Sequence, residues 1–108
     1  MKPYEVYIAY ISWGIEGKRR PILFLEEDGN HVKAFRITSQ YANKSDEIKS
    51  RYVEISDWQQ AGLSKLSYID AGKRVRVPLA LLSPNTPIGK LAYDDKQRLL
   101  EFLCRNGL

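Results

Sequence analysis

One histidine and one cysteine are all that the chain has of the residue types that most often build metal and redox centres. With only His31 and Cys104 present, no His/Cys zinc set can form within the chain, and neither zinc nor any other cofactor is expected. The acidic pairs Glu26-Glu27 and Asp94-Asp95 have no third ligand nearby for magnesium, so they read as turn and helix-start charges. Cys104 has no partner for an internal disulfide, which fits a reducing compartment. Its helix-like apolar surroundings predict a buried small hydrophobe. Long apolar runs are missing as well: nothing approaches the roughly 20 residues of a membrane helix. The start, Met1-Lys2-Pro3-Tyr4-Glu5, lacks the apolar core of a signal peptide. A cytoplasmic protein with no membrane contact is expected.

What is present suits one globular domain spanning residues 1–108, with 44% hydrophobic and 28% charged residues. Seventeen Lys and Arg stand against thirteen Asp and Glu, a formal charge of +4 that favours a polyanionic partner.

Residues 4–12 alternate aromatic and β-branched groups and predict a strand with apolar groups on both faces, as in a small barrel. Two glycines make 13–19 a loop. Pro21 then suits the first position of a strand, followed by the buried run 22–25. Asp28-Gly29 signals a tight hairpin to a partner strand over 31–39. The polar stretch 41–50 reads as an exposed loop before a strand over 51–55, and Ser56 or Asp57 caps a short helical turn that Gly62 ends. Strands over 66–70 and 73–78 joined by Ala71-Gly72, then a loop over 83–87, lead to a terminal helix over 94–105. In that helix Leu99, Leu100, Phe102 and Leu103 have core-facing spacing. The pattern predicts a mainly β protein, a compact small barrel with short helices and a C-terminal helix.

Two segments carry candidate chemistry. Lys18-Arg19-Arg20 concentrates cations beside Gly17, where guanidinium and backbone donors suit a phosphate, although a solvated basic turn is the ordinary reading. Thr38, Ser39 and Gln40 supply hydroxyl and amide donors at a strand end. Counting outward from a turn at Asp28-Gly29 pairs Glu27 with Asn30 and Phe24 with Lys33, and sets Arg20 opposite Ile37 with Thr38 one residue beyond. A cation and a hydroxyl then share one place. Lys73, Arg74 and Arg76 alternate with Val75 and Val77 and suit a nucleic-acid backbone or, equally, a polar outer face. Trp13, Trp58 and Tyr41 are loop aromatics able to stack on unpaired bases or to cover the core. His31, beside the turn, lies at the wrong end of its strand to act with Thr38.

Gly17-Lys18-Arg19-Arg20-Pro21-Ile22-Leu23-Phe24-Leu25 and Ile37-Thr38-Ser39-Gln40 together resemble the MazF/PemK family of toxin endoribonucleases from toxin-antitoxin systems. Ser67-Tyr68-Ile69-Asp70, Val75-Arg76-Val77 and Ile88-Gly89-Lys90-Leu91 before a helix fit the same pattern. The resemblance implies an SH3-like β-barrel, a symmetric homodimer, metal-independent cleavage of single-stranded RNA, and restraint by a cognate antitoxin whose tail occupies the RNA groove. The family's catalytic arginine falls on Arg20 and its threonine on Thr38. Ala92-Tyr93 opens the terminal helix where the family commonly has a Ser or Thr cap.

The chemistry expected from this resemblance is attack of a 2′-hydroxyl on the adjacent phosphorus. Arg20 then stabilises charge, Thr38 holds a phosphoryl oxygen or orients the attacking hydroxyl, and Glu16 is the best-placed candidate base. RNA contacts are expected from Trp13, Lys18, Arg19, Ser39, Gln40, Arg74 and Arg76. The alternatives are a noncatalytic SH3-like module that binds RNA or a protein peptide through the same basic groove, and a structural partner that only dimerises.

Overall fold

Where both faces of a strand carry apolar groups, both must be covered, and this requirement shapes the molecule. The computed structural model describes residues 1–12, 17–82 and 85–107. Its strands are β1 (Glu5–Ser12), β2 (Gly17–Asp28), β3 (His31–Thr38), β4 (Tyr52–Ile55), β5 (Ser67–Pro78) and β6 (Gly89–Lys90). A one-turn helix α1 (Asp46–Lys49), a 3-10 turn (Leu79–Leu81) and the terminal helix α2 (Tyr93–Arg105) complete it. The strands form one antiparallel sheet in the order β4-β5-β3-β2-β1-β6, curled into a half-barrel. The mainly β expectation holds.

Val6, Leu23, Phe35, Ile37, Val53 and Ile69 point into the curl and meet Leu99 and Leu103 of α2. Burying each such side chain contributes about 1.5–3 kcal/mol relative to exposure. On the opposite face Tyr7, Ala9, Ile22, Phe24, Val32 and Ala34 form a second apolar cluster closed by Leu82. The open side of the curl is sealed by backbone. Gly62 lies against the Ile88 carbonyl and Gly89 against Ala61, so closely that a Cβ on either would overlap main-chain atoms.

Several boundaries differ from the sequence expectations. Lys18, Arg19 and Arg20 belong to β2 and pair with β1, so they are strand residues and not a basic turn, and Pro21 lies inside the strand opposite Ile8. Proline is tolerated there because the β2–β3 ladder ends at Ile22↔Arg36. The hairpin turns at Gly29-Asn30, with Asp28 paired to His31 and Gly29 at φ 62°. A register shift leaves Leu25 as the extra residue, so Phe24 faces Ala34 instead of Lys33, and continuing the count sets Arg20 opposite Thr38 instead of Ile37.

The stretch 41–50 contains α1, capped by the Ser45 hydroxyl, which accepts from the Ile48 N–H. The two strands expected over 66–78 are one, β5, whose register with β3 shifts between Ala34↔Val75 and Arg36↔Asp70. Ala71-Gly72 lies in that shift. Residues 56–62 form turns in which Asp57 Oδ1 accepts from the Gln60 N–H and Gly62 takes φ 80°.

Helix α2 begins at Tyr93 with Ala92 as an N-cap that makes no side-chain bond. Leu100 and Phe102 are only half-buried, while Asp95 is 1% exposed. Far from being a bare helix-start charge, Asp95 accepts from the Ser56 and Asp57 N–H groups and from Arg98 Nη1, tying α2 to the end of β4. Cys104 is exposed, contrary to expectation, because the buried stripe of α2 runs through 95, 99 and 103 and 104 lies off it. No helix among the described residues is long and apolar enough to cross a membrane.

Candidate active site

Strand alternation decides which side chains meet. Arg20 shares a face of β2 with Ile22 and Phe24, and Arg36 and Thr38 share a face of β3 with Val32 and Ala34. The face is apolar toward the hairpin and polar at the other end. Where the β2–β3 ladder stops, a cleft of about 260 Å³ opens, lined by Arg20, Pro21, Arg36, Thr38, Gln40, Lys44, Tyr52 and Asp70, with Ile11 at its apolar margin. Pro21 has no N–H to carry the ladder one residue further.

Arg20 is exposed on the cleft wall. Thr38 is half-buried, and its Oγ1 accepts from the Gln40 N–H at 3.0 Å. That bond occupies an acceptor site, so the hydroxyl proton remains for donation into the cleft. Gln40 thereby positions Thr38 and lines the cleft itself, while Ser39 is half-buried between them.

Two rows cross β3, β5 and β4 on this outer face. Arg36, Asp70 and Tyr52 form one, and Thr38, Tyr68 and Glu54 the next. Arg36 Nη2 donates to Asp70 Oδ2 at 3.4 Å. Arg20, Arg36 and Lys44 outnumber the single carboxylate of Asp70 among the lining residues, so the cleft is positive. Tyr68 lies beneath Tyr41, with ring centroids 4.2 Å apart and planes 13° from parallel. Tyr52 stands beside both at 6.2 and 6.3 Å, and Lys49 Nζ is 4.9 Å from the Tyr41 ring centre. Burial raises the Tyr52 phenol above its usual range and the Asp70 charge adds to this. Burial likewise raises Tyr68, with Glu54 and Tyr41 contributing. Both hydroxyls stay neutral at physiological pH.

The remaining expected residues are distributed unevenly. Lys18 and Arg19 are exposed on β2, with Lys18 on the Arg20 side of the strand and Arg19 on the other. Arg74 and Arg76 line a separate groove with Val75 and Val77, and Arg76 Nε donates to Asp28 Oδ2 at 2.8 Å, near the hairpin turn. That end of β3 is where His31 lies, paired with Pro78. Trp58 packs against the core, and Trp13 and Glu16 lie outside the described residues. Arg36, Lys44, Tyr52 and Asp70 were missed as site residues, although period-two counting from Thr38 reaches Arg36 directly.

No protein-family model matches the chain, and no curated protein does. Solved structures do match. The Mycobacterium tuberculosis toxin MazF-mt6 superposes with a TM-score of 0.67 at 21% identity, over 94% of this chain and 93% of that one. A second structure, titled as that of an Mtb toxin, gives 0.61 at 19% identity over 91% and 97%. The chain has the MazF fold. The sheet that carries Arg20 and Thr38 on one cleft is thus MazF-like in fold.

Proposed function

We propose that the chain is a MazF-type toxin endoribonuclease that cleaves single-stranded RNA without a metal ion and is held in check by a cognate antitoxin. The observation that carries the reading is the meeting of Arg20 and Thr38 on one positive cleft in a MazF-like fold. The 2′-hydroxyl of the nucleotide before the scissile bond attacks the adjacent phosphorus, and the bond from phosphorus to the 5′-oxygen breaks. A 2′,3′-cyclic phosphate and a 5′-hydroxyl result. The proton lost by the 2′-oxygen is balanced by the one gained by the 5′-oxygen, so no water is consumed.

Negative charge gathers on the phosphoryl oxygens in the transition state. Arg20 binds it through its planar fork, and Thr38 donates to a non-bridging oxygen. A guanidinium is a poor proton abstractor at neutral pH, so the role of Arg20 is electrostatic, with donation toward the leaving oxygen. Glu16 is the proposed base. Lys18, Arg19, Ser39, Gln40 and Trp13 are proposed to contact the RNA, and Arg74 and Arg76 a more distant stretch of its backbone. The protein acts as a homodimer in the cytoplasm, and the same positive cleft suits an acidic antitoxin segment.

Incubation of the purified protein with mixed-sequence RNA in EDTA tests this reading. New 5′-hydroxyl ends are expected from the natural chain, with a rate about 10²–10³ lower from Arg20→Ala. Binding without scission would instead identify a noncatalytic RNA-binding module. Equal rates from the two chains would remove Arg20 from the mechanism.

A further inference from the structure

Tyr41, Tyr52 and Tyr68 come from three separate segments, and the fold gathers their rings at one end of the Arg20–Thr38 cleft. We infer that this tyrosine wall is the base-recognition subsite, stacking the nucleobase next to the scissile phosphate; the inference rests on the nuclease reading above.

Three observations carry it. The first is position: Tyr68 is the direct cross-strand partner of Thr38, and Tyr52 lines the cleft itself. A base attached to a phosphate held by Thr38 and Arg20 has these rings within one nucleotide's reach.

The second is the contrast along the sheet face. Toward the hairpin this face is covered by Leu82 and the Leu79–Leu81 turn, and its side chains are fully buried. At the tyrosine end the rings are only half-buried, and α1 reaches them through the Lys49 side chain over Tyr41. Half-buried phenols beside a polar cleft offer flat apolar area with little rotamer entropy left to lose. A base of any kind has a π face to match.

The third is charge. Lys49 lies over the Tyr41 ring and Lys44 lines the cleft, so cations flank the aromatic surface as a phosphate chain on either side of a stacked base requires. Asp70, in the row with Tyr52, adds an acceptor at the edge of the wall for a base N–H. The subsite thus grips by stacking and discriminates by edge contacts. Chemistry stays with Arg20 and Thr38.

The test starts by mapping the cut site on mixed-sequence RNA. An oligonucleotide containing that site is then made uncleavable by a 2′-deoxy nucleotide before the scissile bond, and abasic nucleotides are placed singly on either side. For the natural chain, one flanking abasic position is expected to weaken binding about 5- to 100-fold. In Tyr52→Ala or Tyr41→Ala that penalty is expected to vanish, and Tyr41→Phe is expected to restore it. Should the alanine variants fail to fold, quenching of 2-aminopurine at the same position in the natural chain reads the stacking directly.

An abasic penalty of equal size in natural and alanine chains, or no quenching at any flanking position, would overturn the inference while cleavage continued. If the natural chain cut no RNA, the nuclease reading would fall instead. Quenching on any single-stranded RNA that is bound would still support the wall as a base-stacking surface, and its absence would sink both.

Discussion

Thr38 stands directly across the β3–β5 ladder from Tyr68, so the hydroxyl at the cleft and the stacked ring under Tyr41 are fixed by a single register. Moving β5 by one residue would turn Tyr68, Asp70 and their partners on β4 to the opposite face. The bulge after Ala34 guards against this. It takes up extra residues of β5 opposite Phe35 and lets the two halves of the strand keep separate registers. The first half builds the cleft, and the second closes the apolar cluster through Val77.

Substituting Thr38 separates hydroxyl chemistry from strand geometry. Thr38→Val keeps the β-branch and the strand but removes the donor, so cleavage is expected to fall about 10²–10³-fold with the urea midpoint little changed. Thr38→Ser keeps the hydroxyl and is expected to retain most activity. Paired rate and unfolding measurements on the two variants check this, and a Val variant as active as the Ser variant would remove the hydroxyl from the mechanism.

Much of this arrangement was readable from sequence. The hairpin signal together with Arg20 and Thr38 placed the two groups side by side, because strand pairing from a tight turn is a counting exercise. The count itself was off by one residue, since the turn sits at Gly29-Asn30 and nothing in the run of Phe24, Leu25 and Glu26 announces that Leu25 bulges. Lys18 and Arg19 read as part of a loop because cations and glycine mark turns, whereas pairing with β1 overrides that preference. Tyr52, Tyr68 and Asp70 were out of reach for another reason. Their meeting with Thr38 depends on β5 lying between β3 and β4, a long-range order that no local pattern encodes.

Asp95 shows the same limit in the core. Its carboxylate accepts from two backbone N–H groups and from Arg98, all at 2.9–3.0 Å, at a nearly fully buried position. Asp95→Ala leaves two donors without their acceptor and is expected to cost about 2–4 kcal/mol in urea unfolding. Asp95→Asn keeps a carbonyl oxygen and is expected to lose less. Arg98→Ala is expected to lose least, because its guanidinium is partly solvated. An alanine variant as stable as the natural chain would mean that the clamp does not hold α2 to β4.

Two glycines serve different purposes, and alanine tells them apart. A Cβ at Gly89 would lie 2.3 Å from the Ala61 carbonyl carbon, so the seal between β6 and the 57–62 turn must open. A loss of about 2–3 kcal/mol is expected. A Cβ at Gly29 meets nothing within 4 Å, and only its φ of 62° is unfavourable for alanine. There the expected loss is about 1 kcal/mol. Thermal melting of Gly89→Ala and Gly29→Ala should give that order, and the reverse order would contradict the close approach.

Alkaline stability is expected to depend on Tyr7. The phenol is fully buried and donates to Glu5 Oε1 at 3.0 Å, and burial, with the Glu5 carboxylate beside it, pushes its pKa up to about 12. In the unfolded chain a tyrosine titrates near 10. The folded state therefore holds its proton while the unfolded state releases it. The contribution is complete below about pH 10 and declines as pH rises toward 12, by about 1.4 kcal/mol per pH unit at most. Tyr7→Phe forfeits the hydrogen bond, about 1 kcal/mol at neutral pH, but has no proton to lose there. Its stability is expected to fall less steeply between pH 10 and 12, keeping a residual slope from Tyr52 and Tyr68, whose phenols are raised as well. Urea midpoints at pH 8, 10 and 11 for both chains check the difference, and parallel declines would show that Tyr7 is not the group being titrated.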